Sequence, residues 1–369
     1  MLHWLFKTLW RQKGTVVTSS TGVAFAFVLV VVMDAAFVGE SNQIVAYIRH
    51  ANADVWVMQK GVSNMHMATT FVWDWKARRV AEIPGVKQAT PILYINTVVK
   101  SGGRNWFAYV LGLLPNGQRA GPWKMVSGKS VPGEGEIILP QVLADMTDVK
   151  LGGKAKIADK EFTIVGFSAE TFSMANSIVF VNFSDLEDLI STSGTVSFIL
   201  VDAEPGQDSR ELAKRIEQEV EKVTAIPQER FIKNDYQIAL LMGVEIVSFM
   251  TIVGSVLAAM IIAFTTYSQV ARRKRELAIA KALGYKNRSL YLAVLVQTFV
   301  ITGLAFAIAL LISIFLLPAL SALVPQITLK ITAAALTRMG LIAFIVAVLA
   351  ALIPARMVAR VDPLTAFRV

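Results

Sequence analysis

The chain contains no cysteine. That excludes disulfide bonds, thiolate metal sites and cysteine nucleophiles, and it leaves the redox compartment open. Histidine is nearly as scarce. His3, His50 and His66 are the only three, and none stands in an HExxH-type spacing. No serine or carboxylate has a recognisable base beside it, so no catalytic constellation is legible. Acidic charge is thin over much of the chain. Residues 40–237 hold 21 Lys and Arg against 23 Asp and Glu, whereas the remainder holds 15 basic and only 4 acidic residues. The run Ser127-Gly128-Lys129-Ser130 looks like the end of a phosphate-binding loop, but the first glycine of G-x-x-x-x-G-K-S would fall on Trp123. The run is read as a turn, and ATP hydrolysis is not assigned to this chain.

What the chain does have is apolar length. Apolar residues make up 54% of the 369, above the roughly 45–50% of soluble domains, and mean hydropathy is +0.55. Four runs reach the ~20 residues that a spanning helix needs: 15–38, 238–268, 290–324 with Pro318, and 336–357 with Pro354. The basic excess belongs to the segments around these runs. Lys7, Arg11 and Lys13 precede the first; Arg272 to Arg275, Lys281, Lys286 and Arg288 lie in 269–289; Arg360 and Arg368 lie in the tail, 358–369. The loop 325–335 carries only Lys330. By the positive-inside rule both termini are cytoplasmic and residues 39–237 lie outside. Leu2, Leu5, Phe6 and Leu9 follow helical spacing with Trp4 and Trp10 beside them, so residues 1–14 read as an amphipathic interfacial helix. The first span is then an uncleaved anchor rather than a signal peptide.

The excursion of about 200 residues reads as a folded α+β domain. "ADVWVMQ" (53–59) and "EFTIVGF" (161–167) have strand composition. "WDWKARRVAEIPGV" reads as a short helix closed by Pro84-Gly85, and Ser209–Val223 as an amphipathic helix with a serine or aspartate cap. A hairpin is expected in 151–166, with its tight turn at Asp159-Lys160. The middle, about 100–182, is rich in strand and turn signals, so it is expected as an insert carried by mixed flanks. The predicted fold class is thus a four-helix membrane protein with a large α+β extracytoplasmic domain between the first and second spans.

The stretch "ARRKRELAIAKALGYKNR" (271–288) sits between the second and third spans. It has no interleaved aromatics and no reading domain, which argues against nucleic acid; one reading is an anchor on the anionic lipid bilayer. Residues 273–283 are compatible with a short helix ended by Gly284. A rigid element held between two membrane helices can pass displacement from a soluble partner into the membrane. "RRKRELAIAKALGYKNRSLYLAVLVQTFVITGLAFAIAL" resembles the cytoplasmic segment and third span of FtsX/MacB-type ABC transporter permeases, with Arg275, Glu276, Ile279, Lys281, Ala282, Leu283 and Gly284 at the motif positions. "PARMVARVDPLTAFRV" is similar to the family ending, at Pro354, Ala355, Arg360, Pro363, Ala366 and Arg368. The start, "KTLWRQKGTVVTSSTGVAFAFVLVV", and the excursion's "IPGVKQATP" and "FTIVGF" share the likeness, which covers essentially the whole chain.

The resemblance implies a half-transporter permease of the DevC-like or haem-exporter-like kind, forming a homodimer. A separate cytoplasmic ABC ATPase subunit would use ATP and magnesium, and Arg273 to Gly284 would contact it. A periplasmic adaptor protein is a further implied partner, and the bacterial inner membrane the implied location. It also implies two alternative activities: efflux of a lipophilic or amphipathic substrate (haem, lipid or drug-like), or FtsX-like mechanical regulation of an outside partner such as a cell-wall hydrolase.

Two other groups stand out. Asp34 and Glu245 are the only acidic residues inside the proposed spans, both near the outer end. They read either as a pair around an outward cavity lined by Met33 and Met242, or as carboxylates in interfacial water with Arg338 as a counter-ion. Met65, His66 and Met67 carry thioether and imidazole groups that could bind copper or haem iron, or form a contact surface. In a strand, His66 would face opposite to its two neighbours, so the three do not converge readily.

Overall fold

A computed structural model describes residues 13–115, 120–173, 177–239, 241 and 245–359. In chain order its elements are α1 (Lys13–Ile44), α2 (Ala46–Ala51), β1 (Val55–Gln59), β2 (Val72–Trp73), α3 (Trp75–Ala81), β3 (Val86–Ser101) and β4 (Arg104–Leu113). Next come β5 (Met125–Gly128), β6 (Glu136–Pro140), α4 (Gln141–Thr147), β7 (Lys154–Ile157), β8 (Lys160–Ser168), β9 (Ile178–Asn182) and α5 (Phe183–Ile190). They are followed by β10 (Thr195–Val196), β11 (Phe198–Ala203), α6 (Ser209–Glu219), β12 (Val223–Pro227), α7 (Gln228–Ala239), α8 (Glu245–Arg272), α9 (Lys274–Ala282), α10 (Asn287–Leu323) and α11 (Ala333–Ala359). The chain divides into two compact units. One holds the long apolar helices; the other comprises 39–244 together with 324–328.

The second unit is built on one ten-stranded sheet, in the order β12-β1-β11-β3-β4-β9-β6-β8-β5, with β7 bridging β3 and β8. Strand β1 is buried on both faces. Trp56 and Met58 enter one core with Tyr47, Phe198 and Phe231, while Val55 and Val57 enter the other with Val80, Leu212 and Ile216. That double burial explains an apolar run where a half-exposed strand would alternate. Helix α6 starts at Asp208, whose carboxylate accepts from Arg210 N and Glu211 N at 2.7 and 3.0 Å. Those two N–H groups hold its pKa below the usual carboxylate range. The cap is therefore the aspartate of the two residue types considered.

Strand β3 runs 16 residues and joins the halves of the domain. One edge pairs with β11 over Val86–Ile92 and then with β7 over Val99–Ser101; the other pairs with β4. Beyond Ile92, β3, β4, β9, β6, β8 and β7 close on themselves as a six-stranded barrel. Val99, Val110, Leu139, Ile157, Phe162, Ile164 and Val181 fill its interior. Closure removes free edges, and a barrel this small is packed solid by its own side chains. The insert expected at about 100–182 is thus a barrel that shares β3 with its flanks. The hairpin turn falls at Ala158-Asp159, one residue earlier than expected, because Ile157 pairs with Lys160. Ala158 takes the left-handed conformation there, φ 50°. Gly128 lies at the end of β5 with φ +82°, and Lys129 is ion-paired to Glu136 at 2.7 Å, so the look-alike phosphate loop is strand and turn.

In the first unit α1, α8, α10 and α11 are each long and apolar enough to cross a membrane. Their shared core joins Ala24, Phe27, Ala258, Ile262, Ala305, Ala309, Ala343 and Ala350. Small side chains let the backbones approach closely, and dispersion then replaces the hydrophobic drive that is absent in lipid. At Gly254 a Cβ would come within 3.2 Å of Val30, which marks such an approach between α8 and α1. At 1.5 Å per residue α10 is about 55 Å long, well beyond the ~30 Å hydrocarbon layer. The helices differ from the predicted spans at their ends. Helix α1 continues to Ile44, and α8 begins at Glu245 because Ile238 and Ala239 still belong to α7. Residues 1–12 and 360–369, with the interfacial helix and most of the family ending, lie outside the described residues.

Candidate functional site

The break between α8 and α9 is a single residue. Arg273 has φ −108° and ψ 16°, and its side chain turns inward, where Nε donates to Glu276 at 3.0 Å. Leu277 packs against Val270, Leu290, Val294 and Val358, so α9 is seated on the ends of α8, α10 and α11. The far end is closed by two hydrogen bonds. Tyr285 N donates to Ala280 O at 3.2 Å and Gly284 N to Lys281 O at 3.0 Å. With Gly284 at φ +87°, this is the Schellman arrangement. Among the residues expected to contact a partner, Arg275, Glu276, Ile279, Ala282, Leu283 and Gly284 are exposed and Lys281 is half-buried. Ile279 and Leu283, one turn apart, are 45% and 74% exposed. Arg273 departs from that expectation, because it is only 8% exposed. It sets the corner on which the exposed face is mounted.

A polar bridge lies in the apolar bundle next to this corner. Gln269 Nε2 donates to Ser19 Oγ at 3.0 Å, and Gln297 Nε2 donates to Gln269 Oε1. Gln269 and Gln297 are buried. The bridge ties α1, α8 and α10 together, and Ser20 Oγ adds a contact from α1 to Ile301 O at 3.4 Å. Amide groups in an apolar bundle would carry a large desolvation cost if unpaired, so their mutual pairing fixes the register of the three helices. Weighing only the carboxylates in the spans passes over this feature.

Asp34 is buried and its Oδ1 accepts from Arg338 across α1 and α11; the Arg338 guanidinium also lies 5.8 Å from the Phe37 ring centre. Glu245 is exposed in the first turn of α8 and forms no ion pair among the described residues. Asp34 thus has the Arg338 counter-ion that the second reading named. Met33 is half-buried, and Met242 lies outside the described residues.

Met65, His66 and Met67 diverge. Met65 is in the aromatic core, Met67 is 67% exposed, and His66 is buried. Asp235, fully buried on α7, accepts from Met65 N at 2.9 Å and His66 N at 3.1 Å, and its other oxygen bonds His66 Nδ1. Tyr109 packs edge-on to the imidazole at 4.9 Å, and burial pushes its phenol up to about 12. The loop is thereby latched to α7 through His66, with one thioether in the core and the other exposed.

Comparison with known proteins places these features in context. Residues 17–219 match the family model described as MacB-like periplasmic core domain, and residues 248–363 match FtsX-like permease C-terminal. An uncharacterised ABC transporter permease of Mycobacterium tuberculosis is 25% identical over 364 residues, covering 97% of this chain and 96% of its own. A second from the same species is 24% identical over 365 residues, with the same coverage. The periplasmic region of MacB from Actinobacillus actinomycetemcomitans aligns at 11% identity with a TM-score of 0.39, covering 52% of this chain and 96% of its own.

Proposed function

Because the chain belongs to the FtsX/MacB family of ABC transporter permeases, we propose that it is the membrane half of an exporter driven by a separate cytoplasmic ATPase. The observation that carries this reading is α9: a short helix seated on three span ends through Leu277, closed at Gly284, with Arg275, Glu276, Ile279 and Leu283 presented outward. ATPase subunits that bind ATP and close would displace this face. Arg273, held to Glu276, would transmit the displacement to α8, and the Ser19–Gln269–Gln297 bridge would carry it into α1 and α10. Helices α1 and α8 flank the extracytoplasmic domain in the chain, so their tilting would reshape it. A homodimer places two such faces against two ATPase subunits.

The cargo of this reading is lipophilic or amphipathic, taken from the outer leaflet or the periplasm, because the spans carry few polar groups and the outside domain is large. The test is ATP turnover by the purified complex across haem, lipids and amphiphiles; a cargo should change the turnover, and no response together with no accumulation on gene deletion would reject export. The size of the outside unit also supports mechanical regulation of an outside partner. Recovery of a cell-wall hydrolase on that domain would favour regulation, whereas an adaptor protein would favour export.

A further inference from the structure

A groove of about 1070 Å³ lies between α6 and α7, floored by β12 and rimmed by Gly61 to Ser63. Arg210 and Lys214 stand one turn apart on α6, and Arg230 and Lys233 one turn apart on α7, so each helix presents a short row of cations to the groove. None of the four is in an ion pair among the described residues. Some cations elsewhere in the domain do find partners, Lys124 with Glu170, Lys129 with Glu136 and Lys154 with Glu161, while others, such as Lys87 and Lys100, have no ion pair among the described residues; what distinguishes the groove is that four cations line one cavity. The domain as a whole is slightly acidic, which makes the local excess stand out. Two carboxylates share the groove. Glu217 is committed to Ala225 N at 2.9 Å, and Glu229 has no ion pair among the described residues.

The floor limits the kind of occupant. Among the described residues strand β12 pairs only with β1 and is therefore an edge. The Ala225 N–H on it is already taken by Glu217, and Pro227, two residues on, has no N–H to give. Addition of a partner strand is blocked in the way edge strands usually are. Recognition must then come from side chains. The rim is firm, because Asn234 Nδ2 bonds Ser63 O at 2.9 Å and Asp235 holds the following loop. Two facing rows of cations along two helices match an elongated series of carboxylates better than one compact anion. We propose that this groove docks an acidic segment of an extracytoplasmic partner protein, with the segment lying between α6 and α7. This rests on the reading of residues 39–244 as the outward domain and is independent of which cargo is moved.

The test uses the full chain in zwitterionic nanodiscs and a fluorescein-labelled 16-residue peptide with Glu at i, i+3, i+4 and i+7 positions. Wild type should bind the peptide. The pairs Arg210→Glu/Lys214→Glu and Arg230→Glu/Lys233→Glu should each weaken binding tenfold or more, and the second pair should gain binding to a lysine version of the peptide. Lys154→Glu/Lys156→Glu, on the barrel, should bind as wild type does. Thermal melts confirm that the variants are folded. Equal affinity in wild type and both groove pairs would overturn the proposal. So would displacement of the peptide by inorganic phosphate at matched ionic strength, or binding that appears only in phosphatidylglycerol nanodiscs, since these would mark a simple anion or lipid site.

Discussion

Removing the Asp235 carboxylate should unlatch residues 61–71 from α7. In the native domain it serves two backbone N–H groups and one imidazole nitrogen, all in a buried setting. Asp235→Ala leaves Met65 N and His66 N without an acceptor, at about 1–3 kcal/mol each. The two lost acceptors together put the expected loss at about 4 kcal/mol. Asp235→Asn keeps one carbonyl oxygen that can still accept from both backbone groups, and should lose about half as much. Five of the seven tryptophans fall between Trp56 and Trp123, so intrinsic fluorescence of the full chain in detergent reports this domain. At about 2–4 °C per kcal/mol for a domain of this size, Asp235→Ala should melt roughly 10 °C lower. A variant within about 1 kcal/mol of wild type would refute the latch.

Two more outcomes follow from the structure. Gln269→Leu and Gln297→Leu should be non-additive in a double-mutant cycle of unfolding in mixed micelles, with a coupling of about 0.6 and at most about 1.7 kcal/mol; strict additivity would mean the amides do not meet. Glu136 accepts from Lys129 Nζ at 2.7 Å and Gly133 N at 2.8 Å, and the lysine hydrogen bond first of all holds its pKa below the usual value. A depressed folded pKa means stability that is present above the unfolded value of about 4.3 and is lost as pH falls through the folded pKa. The melting temperature of wild type should therefore drop more between pH 6 and 3 than that of Glu136→Gln, and identical slopes would contradict the assignment.

Much of this architecture is written in local patterns. The four apolar runs, the "VWVMQ" strand, the Pro84-Gly85 stop and the Gly284 helix end each depend on neighbours within a turn or two. What sequence reading misses is set by distant partners. The barrel closes because Val99 on β3 meets Ile157 on β7, and no pattern within either strand specifies that pairing. Met65, His66 and Met67 are visible as a cluster, but the Asp235 that holds His66 lies 169 residues away. Span ends shift for a related reason: Ile238 and Ala239 are apolar enough to extend a membrane run, yet they complete α7. Gln297 stands as a polar residue in an apolar run and Gln269 just beyond the end of another, but their value lies in facing each other, which only packing determines. Arg273 belongs to a basic cluster by sequence and to a buried corner by structure.

The central claim is that α9 is the face through which a cytoplasmic ATPase drives this permease. The direct measurement is co-purification of the chain with a co-expressed ABC ATPase subunit, followed by ATP turnover, in wild type, Glu276→Lys and Gly284→Leu. A side chain at φ +87° costs roughly 1–2 kcal/mol and loosens the closed end of α9, while Glu276→Lys removes the partner of Arg273 and reverses an exposed charge. Both variants should insert and fold but lose complex formation or hydrolyse ATP without coupling. Wild-type assembly and coupled turnover in both would contradict the account.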